Sequence, residues 1–181
     1  MNPTALYLRP LQHQDAPALA AWGQDELFCR HAGWTATSST GLHDFWVRQV
    51  EDPPVGLLRL AVVHADEVVG YVDLDGSTPG QKELGFVIGP SHRWGVGLGG
   101  RAAEAGLAHG FGELALGCIW AEALAANTAS VRTLRSLGMQ ETGEGGPGVF
   151  LGEDSHYLQF RMGRDEWTGI IEQRTGSAPA Q

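Results

Sequence analysis

Apolar and polar positions first alternate in Leu6-Tyr7-Leu8-Arg9-Pro10-Leu11, a strand pattern that Pro10 places near a sheet edge or end. Asp15 is the expected N-cap of a helix reaching about Gln24, with Pro17 tolerated in its first turn. Gly33 to Gly41 reads as a loop. His43 to Glu51 reads as a helix with Phe45, Trp46 and Val50 on one side, stopped by Pro53-Pro54. Leu57 to His64 and Val68 to Leu74 are apolar runs around the short turn Ala65-Asp66-Glu67, which is a hairpin signal. A turn at Gly76 to Gly80 leads into the strand Glu83-Leu84-Gly85-Phe86-Val87-Ile88. Short connections make these strands antiparallel neighbours.

The rhythm then changes. Gly97 to about Phe111 is an alanine-rich helix with Leu98, Ala102, Ala105 and Ala108 along one side. Leu114 to Ala123 reads as a strand, and Thr128 to Leu137 as a helix ended by Gly138. Two runs, about Met139 to Leu151 and Asp154 to Met162, predict a closing hairpin. Gly169 to Gln181 offers little that can pack and reads as frayed. The sum is an α/β (α+β) fold: a single domain over residues 1–167 with a mixed, largely antiparallel central sheet, flanking helices and at least one parallel crossover. Residues 168–181 are the expected flexible tail.

Composition narrows the class without naming a function. The chain has 181 residues, 43% hydrophobic and 18% charged, as expected of a soluble globular domain. Cys29 and Cys118 stand alone and match no disulfide or zinc spacing, so a reducing, cytoplasmic setting and no metal are expected. The start of the chain carries no signal-peptide pattern, and no run of about 18 apolar residues is present to span a membrane. A formal net charge of -9 argues against nucleic acid and weakly favours a cationic partner.

The segment richest in chemistry is His92-Arg93-Trp94-Gly95-Val96-Gly97-Leu98-Gly99-Gly100, between a strand and a helix. Unpaired N–H groups and the helix dipole favour an anion at a helix N-terminus, and glycines let backbone approach a pyrophosphate closely. A Walker A loop fails, because Gly100 is followed by Arg101-Ala102 instead of Lys-Ser/Thr. A dinucleotide fingerprint is literally present as Gly95-Val96-Gly97-Leu98-Gly99-Gly100, with Glu122 where a ribose-binding acid would fall. Against it, six residues separate Ile88 from Gly95, and the preceding sheet reads antiparallel.

With these residues in view, the chain resembles the GNAT superfamily of N-acetyltransferases. It is most similar to the branch containing enzymes that acetylate the N-termini of ribosomal proteins. One match is Glu83 to Ile88 followed by Arg93-Trp94-Gly95-Val96-Gly97-Leu98-Gly99, where Trp94 takes the place of the superfamily's first Gln or Arg. The other is Asn127 to Met139, similar to the family's Asn-x-x-Ser helix ending in Gly-Phe, with Met139 in the aromatic's place. Leu8-Arg9-Pro10-Leu11 and Arg164-Asp165-Glu166-Trp167 agree more loosely at the flanks.

The resemblance implies a V-shaped cleft, acetyl-CoA as donor and a primary amine as acceptor, either a peptide N-terminus or a small molecule. It implies backbone pairing of Phe86, Val87 and Ile88 with the pantetheine arm. Arg93, Trp94, Gly95, Val96, Gly97, Leu98, Gly99 and Gly100 would surround the pyrophosphate. Arg101 departs from the branch, which commonly carries a glutamate there; its cation opposes the helix dipole but could meet a phosphate, which makes it a further candidate cofactor contact. Asn127 and Ser130 would meet the cofactor near its thiol end. A homodimer is the family expectation.

An ammonium must lose a proton before it attacks a thioester, which requires a carboxylate or a water chain ending on one. Glu122 and Glu83 are the candidates, each with the alternative of a solvent-facing or arginine-paired carboxylate. The tyrosine that many members carry seven residues after the Asn is Leu134 here. Ser130 is the nearest substitute for protonating the thiolate, and Tyr157 and His156 are held in reserve. Trp34 could line the acceptor pocket, Trp46 is expected in the core, and Arg132 and Arg135 are expected to face solvent, with contact to the adenosine 3′-phosphate as the alternative. Two other functions stay open: a catalytically degenerate acyl-CoA sensor of this fold, and an NAD-dependent oxidoreductase.

Overall fold

The runs expected as strands pair edge to edge in the computed structural model, which describes residues 5–35 and 38–176. They are β1 (Leu6–Pro10), β2 (Leu58–His64), β3 (Glu67–Asp75), β4 (Gln81–Ile88), β5 (Cys118–Leu124), β6 (Gln140–Phe150) and β7 (Glu153–Gly163). They form one seven-stranded sheet in the order β1-β2-β3-β4-β5-β7-β6. Every neighbouring pair is antiparallel except β4 and β5. Hairpin-length connections force the antiparallel pairing of β2 with β3, β3 with β4 and β6 with β7. The one parallel pair needs a crossover, supplied by the helix α4 (Leu98–Gly112).

The remaining helices are α1 (Ala16–Ala21), α2 (Glu26–Ala32), α3 (Ser39–Glu51), α5 (Thr128–Ser136) and α6 (Arg164–Gly176). They cover the sheet on two sides and create two cores. On one face Val72, Leu74 and Leu84 pack with Ala102, Leu107 and Phe111 of α4 and with Val131 and Leu134 of α5. On the other, Tyr71 packs with Leu19, Trp22, Phe28 and Trp46 from the N-terminal helices. No described helix is long and apolar enough to cross a membrane.

Several expectations need correction. Asp15 does not cap through its side chain: its carboxylate is buried and accepts from both terminal nitrogens of Arg9 at 2.7 Å and from the Gln12 N–H at 2.9 Å. The single helix expected to Gln24 ends at Ala21, and a 3-10 turn at Trp22–Gln24 precedes a second helix, α2, capped by Asp25. α3 begins at Ser39, capped by Ser38, so Ser39, Thr40 and Gly41 at the end of the expected loop are helical; Ala36 and Thr37 lie outside the described residues. β5 starts at Cys118 because Ala115 adopts a φ of 52° and the Leu116 N–H bonds back to Gly110, turning the chain before it can pair.

The tail expected from residue 168 is also structured as far as Gly176. α6 packs Ile170 and Ile171 against the first core, next to the buried Trp167. A spacing of three to four residues joins Trp167 to both isoleucines, which gives α6 an apolar stripe too short to stand out in the sequence. Residues 1–4 and 177–181 lie outside the described residues.

Candidate active site

Only three residue pairs join the parallel strands: Gln81 to Cys118, Lys82 to Ile119 and Glu83 to Trp120. Beyond Glu83 the two strands part, and the sheet opens into the expected V. Register decides which backbone groups of β4 face the gap. The Gly89 N–H bonds to the Val69 carbonyl, and a Cβ on Gly70 would collide with the Val87 carbonyl oxygen. Val87 therefore spends its backbone groups on β3, while Phe86 and Ile88, of opposite parity, turn theirs toward the side that β5 has left. The Ile88 carbonyl already accepts from the Trp94 indole N–H at 2.7 Å.

The glycine turn follows directly. A 3-10 turn at Ser91–Arg93 leads to Gly95 and Gly97, with φ of 82° and 81°, and Gly97 caps α4. A Cβ at either glycine would meet nothing within 4 Å, so the loop presents bare backbone to an open cleft. Three contacts fix the turn in place. The Ser91 N–H donates to the Asp25 carboxylate at 2.7 Å, Arg93 pairs with Glu67, and the His31 ring packs on Trp94 with centroids 5.0 Å apart. The Nε–H of Arg93 is buried without a hydrogen-bond partner among the described residues, a donor left beside the loop.

Loop, β4 and α5 line a cleft of ≈ 560 Å³, a size usual for small-molecule and cofactor sites. Phe86, Val87, Ile88, Arg93, Trp94, Gly95, Gly97, Leu98, Gly99, Gly100, Asn127 and Ser130 all contribute to its walls. Val96 and Arg101 are exposed and outside the lining. Arg132 joins the wall, its Nε–H bonded to the Thr128 carbonyl, whereas Arg135 turns away to pair with Glu141. The Asn127 side-chain oxygen caps α5 by accepting from the Ser130 N–H at 3.2 Å, so only its amide N–H groups remain to offer a ligand.

Glu83 and Glu122 do not line this cleft. They lie on the opposite face of the sheet, at the point where β4 and β5 separate. Glu83 stands opposite Asp75 on β3 and Trp120 on β5. Its carboxylate accepts no hydrogen bond among the described residues, and burial, helped by Glu122, Asp75 and Asp73, raises its proton affinity above the usual carboxylate range. Asp73 is neutralised by Arg59, which donates to both its oxygens at 2.7 and 2.6 Å. Glu122 accepts from the Gln159 side-chain amide at 2.7 Å.

Sequence reasoning missed the wall supplied by α2. Phe28, His31 and Ala32 line the cleft, and His31 also touches Phe150 at the end of β6, with centroids 5.3 Å apart. The helix itself was unforeseen, so its residues had no place to be assigned. Gln159 was missed as well, since strand pairing alone brings it to Glu122. Trp34 sits half-buried against Phe28 and Trp46, which makes it part of the second core more than a pocket wall. His156 approaches Glu144, and Tyr157 shares the face of Glu122 and Gln159.

The site and sheet define an acyltransferase architecture, and the parallel pairing confined to β4 and β5 rules out the doubly wound sheet that a dinucleotide enzyme would need. Residues 5–140 match the acetyltransferase (GNAT) domain family, and the chain belongs to it. Among solved structures, an acetyltransferase of the GNAT family from Bacillus anthracis superposes with a TM-score of 0.75 at 20% identity, over 89% of this chain and 96% of that one. Spermidine N-acetyltransferase from Vibrio cholerae in complex with CoA and spermine gives 0.75 at 19%, over 90% and 98%. A dodecameric structure of spermidine N-acetyltransferase from the same organism, in an intermediate state, gives 0.71 at 19%, over 91% and 97%. At such identities the likeness establishes the fold.

Proposed function

We propose that this chain transfers the acetyl group of acetyl-CoA to a primary amine by direct attack in a ternary complex. The observation that carries this reading is the single cleft in which the bare glycine turn, the freed edge of β4 and the Asn127 helix meet. The pyrophosphate would sit against the N–H groups of Gly95 to Gly100 at the head of α4, within reach of the Arg93 Nε–H. The pantetheine arm would pair with the backbone of Phe86 and the Ile88 N–H, and the Asn127 amide would donate to it.

Laid this way, the arm leads toward the parting of β4 and β5, with the carboxylates on the far side. Glu83 would take the proton from the ammonium, and the freed nitrogen would attack the thioester carbon. As the C–N bond forms the C–S bond breaks, the sulfur leaves as thiolate, and the second proton shed by the nitrogen replaces the one given up by the group that protonates the thiolate. Ser130, which lines the cleft, is the proton donor we favour for that thiolate, with Tyr157 second; Leu134 is buried in the core. Acidic side chains near the gap suit a cationic acceptor. The motif resemblance to ribosomal-protein N-terminal acetyltransferases points to a peptide N-terminus, and the fold shared with a spermidine N-acetyltransferase makes a polyamine the competing acceptor.

Labelled acetyl-CoA incubated with a panel of N-terminal peptides, polyamines and amine antibiotics tests the proposal. Label should appear on at least one amine. Tight acetyl-CoA binding with no transfer to any member would favour the degenerate sensor. Replacing Gly97 with Ala would place a Cβ at a φ of 81° and should weaken acetyl-CoA binding at least tenfold with little unfolding, as read by calorimetry.

A further inference from the structure

Two strands of the second arm of the V converge on Glu122. On β7, the Gln159 amide donates to Glu122 Oε1 at 2.7 Å across a directly opposed pair of residues. On β6, the register slips between Glu144 and Pro147, and Gly145 lies over that hydrogen bond. A Cβ at Gly145 would stand 3.2 Å from Glu122 Oε1, 3.4 Å from Gln159 Nε2 and 3.1 Å from the Tyr157 Cβ. The contacts to Glu122 and Tyr157 are tight, so a side chain at Gly145 would press on the pair. Among the described residues no cation pairs with Glu122.

The contrast with Glu83 is instructive. Glu83 is half-buried with no donor among the described residues, and faces Asp73 and Asp75 from β3 and Glu122 from β5; Arg59 on β2 is committed to Asp73. An ionised carboxylate is stabilised by a fixed donor, and an unsupported one nearby is destabilised by the first one's charge. We propose that Gln159 is a positioning residue, which holds the Glu122 carboxylate in place to bind the incoming ammonium and leaves Glu83 to accept its proton. The proposal rests on the acetyltransferase reading above. It assigns two roles to two carboxylates by their surroundings and names the side chain that separates them.

The test is a cycle of substitutions followed by steady-state kinetics on the best amine. Gln159→Met keeps the side-chain length and removes the donor. It should raise KM for the amine about tenfold while kcat and acetyl-CoA affinity change little, the scale expected for losing one hydrogen bond to a charged group. Gly145→Ala, from the other strand, should raise the same KM by pressing on the same pair. In a Glu122→Gln background both effects should vanish, because the partner through which they act is gone. An unchanged KM in both variants, or an effect that persists in the Glu122→Gln background, would overturn the assignment. If one variant does not fold, the other still decides, since they act from different strands. Full activity of Glu83→Gln would instead sink the underlying catalytic reading, whatever Gln159 does.

Discussion

Glu83 is a carboxylate whose surroundings work against its own charge. Burial is the largest cause of its raised proton affinity, and the Glu122, Asp75 and Asp73 carboxylates add to it. A carboxyl whose affinity for protons is higher folded than unfolded stabilises the fold when protonated, and that contribution is lost as pH rises through its folded value. Glu83→Gln should therefore raise the thermal midpoint at pH 7 while lowering amine transfer by 100-fold or more, on the order of what a general base contributes. Glu122→Gln removes a like charge, so Glu83 should ionise more readily. The acid limb of kcat/KM against pH should then move to lower pH, and a limb that stays put or moves upward would separate the two groups. Glu83 and Glu122 were both visible in the sequence as carboxylates near the gap. Their distinction was not, because it depends on neighbours from β3 and β7 that lie far away in the chain.

At the scale of elements, the glycine turn proposed to hold the pyrophosphate is itself held by a helix that periodicity did not reveal. α2 spans only seven residues, Glu26–Ala32, too short for a periodic stripe to register. Its cap does two jobs. The Asp25 carboxylate accepts from the Phe28 N–H at 3.0 Å, closing the helix start, and from the Ser91 N–H at 2.7 Å, tying α2 to the turn. Those backbone donors hold its carboxyl below the ordinary range, the Phe28 bond most of all. A carboxyl depressed in the fold contributes stability at neutral pH, lost as pH falls through its folded value. Asp25→Ala should cost about 1 kcal/mol at pH 7, the scale of a lost cap, and the deficit should shrink in acid. Denaturant melts at two pH values would show it, and a deficit independent of pH would contradict the role of the charge. Acetyl-CoA affinity should fall as well, since Ser91 opens the turn.

For the whole molecule, the sheet joins two arms that share only a three-pair parallel seam, and α4, α5 and α6 close the first core beneath them. α6 belongs to that closure. Besides Ile170 and Ile171 in the core, Arg174 pairs with Glu104 of α4. Ending the chain after Thr168 should lower stability by about 3 kcal/mol, the scale of exposing two isoleucines, and the denaturation midpoint would report it. A truncated chain as stable as the full one would restore the flexible tail read from the sequence.

The sequence by itself determined the elements with long patterns and singled out the segments on which the proposed donor site rests. Alternation located the strands, and glycine spacing marked a candidate anion nest at the head of α4. Asn127 to Gly138 marked the helix facing it, because these signals are local and each lies within one stretch of chain. Tertiary structure decided what depends on contacts between distant residues. The parting of β4 and β5 after three pairs, the turning of Phe86 and Ile88 toward the gap, the α2 wall and the hold of Gln159 on Glu122 are all set by register and packing. A register is fixed only when several strands bury their apolar faces together, and no single segment carries that information.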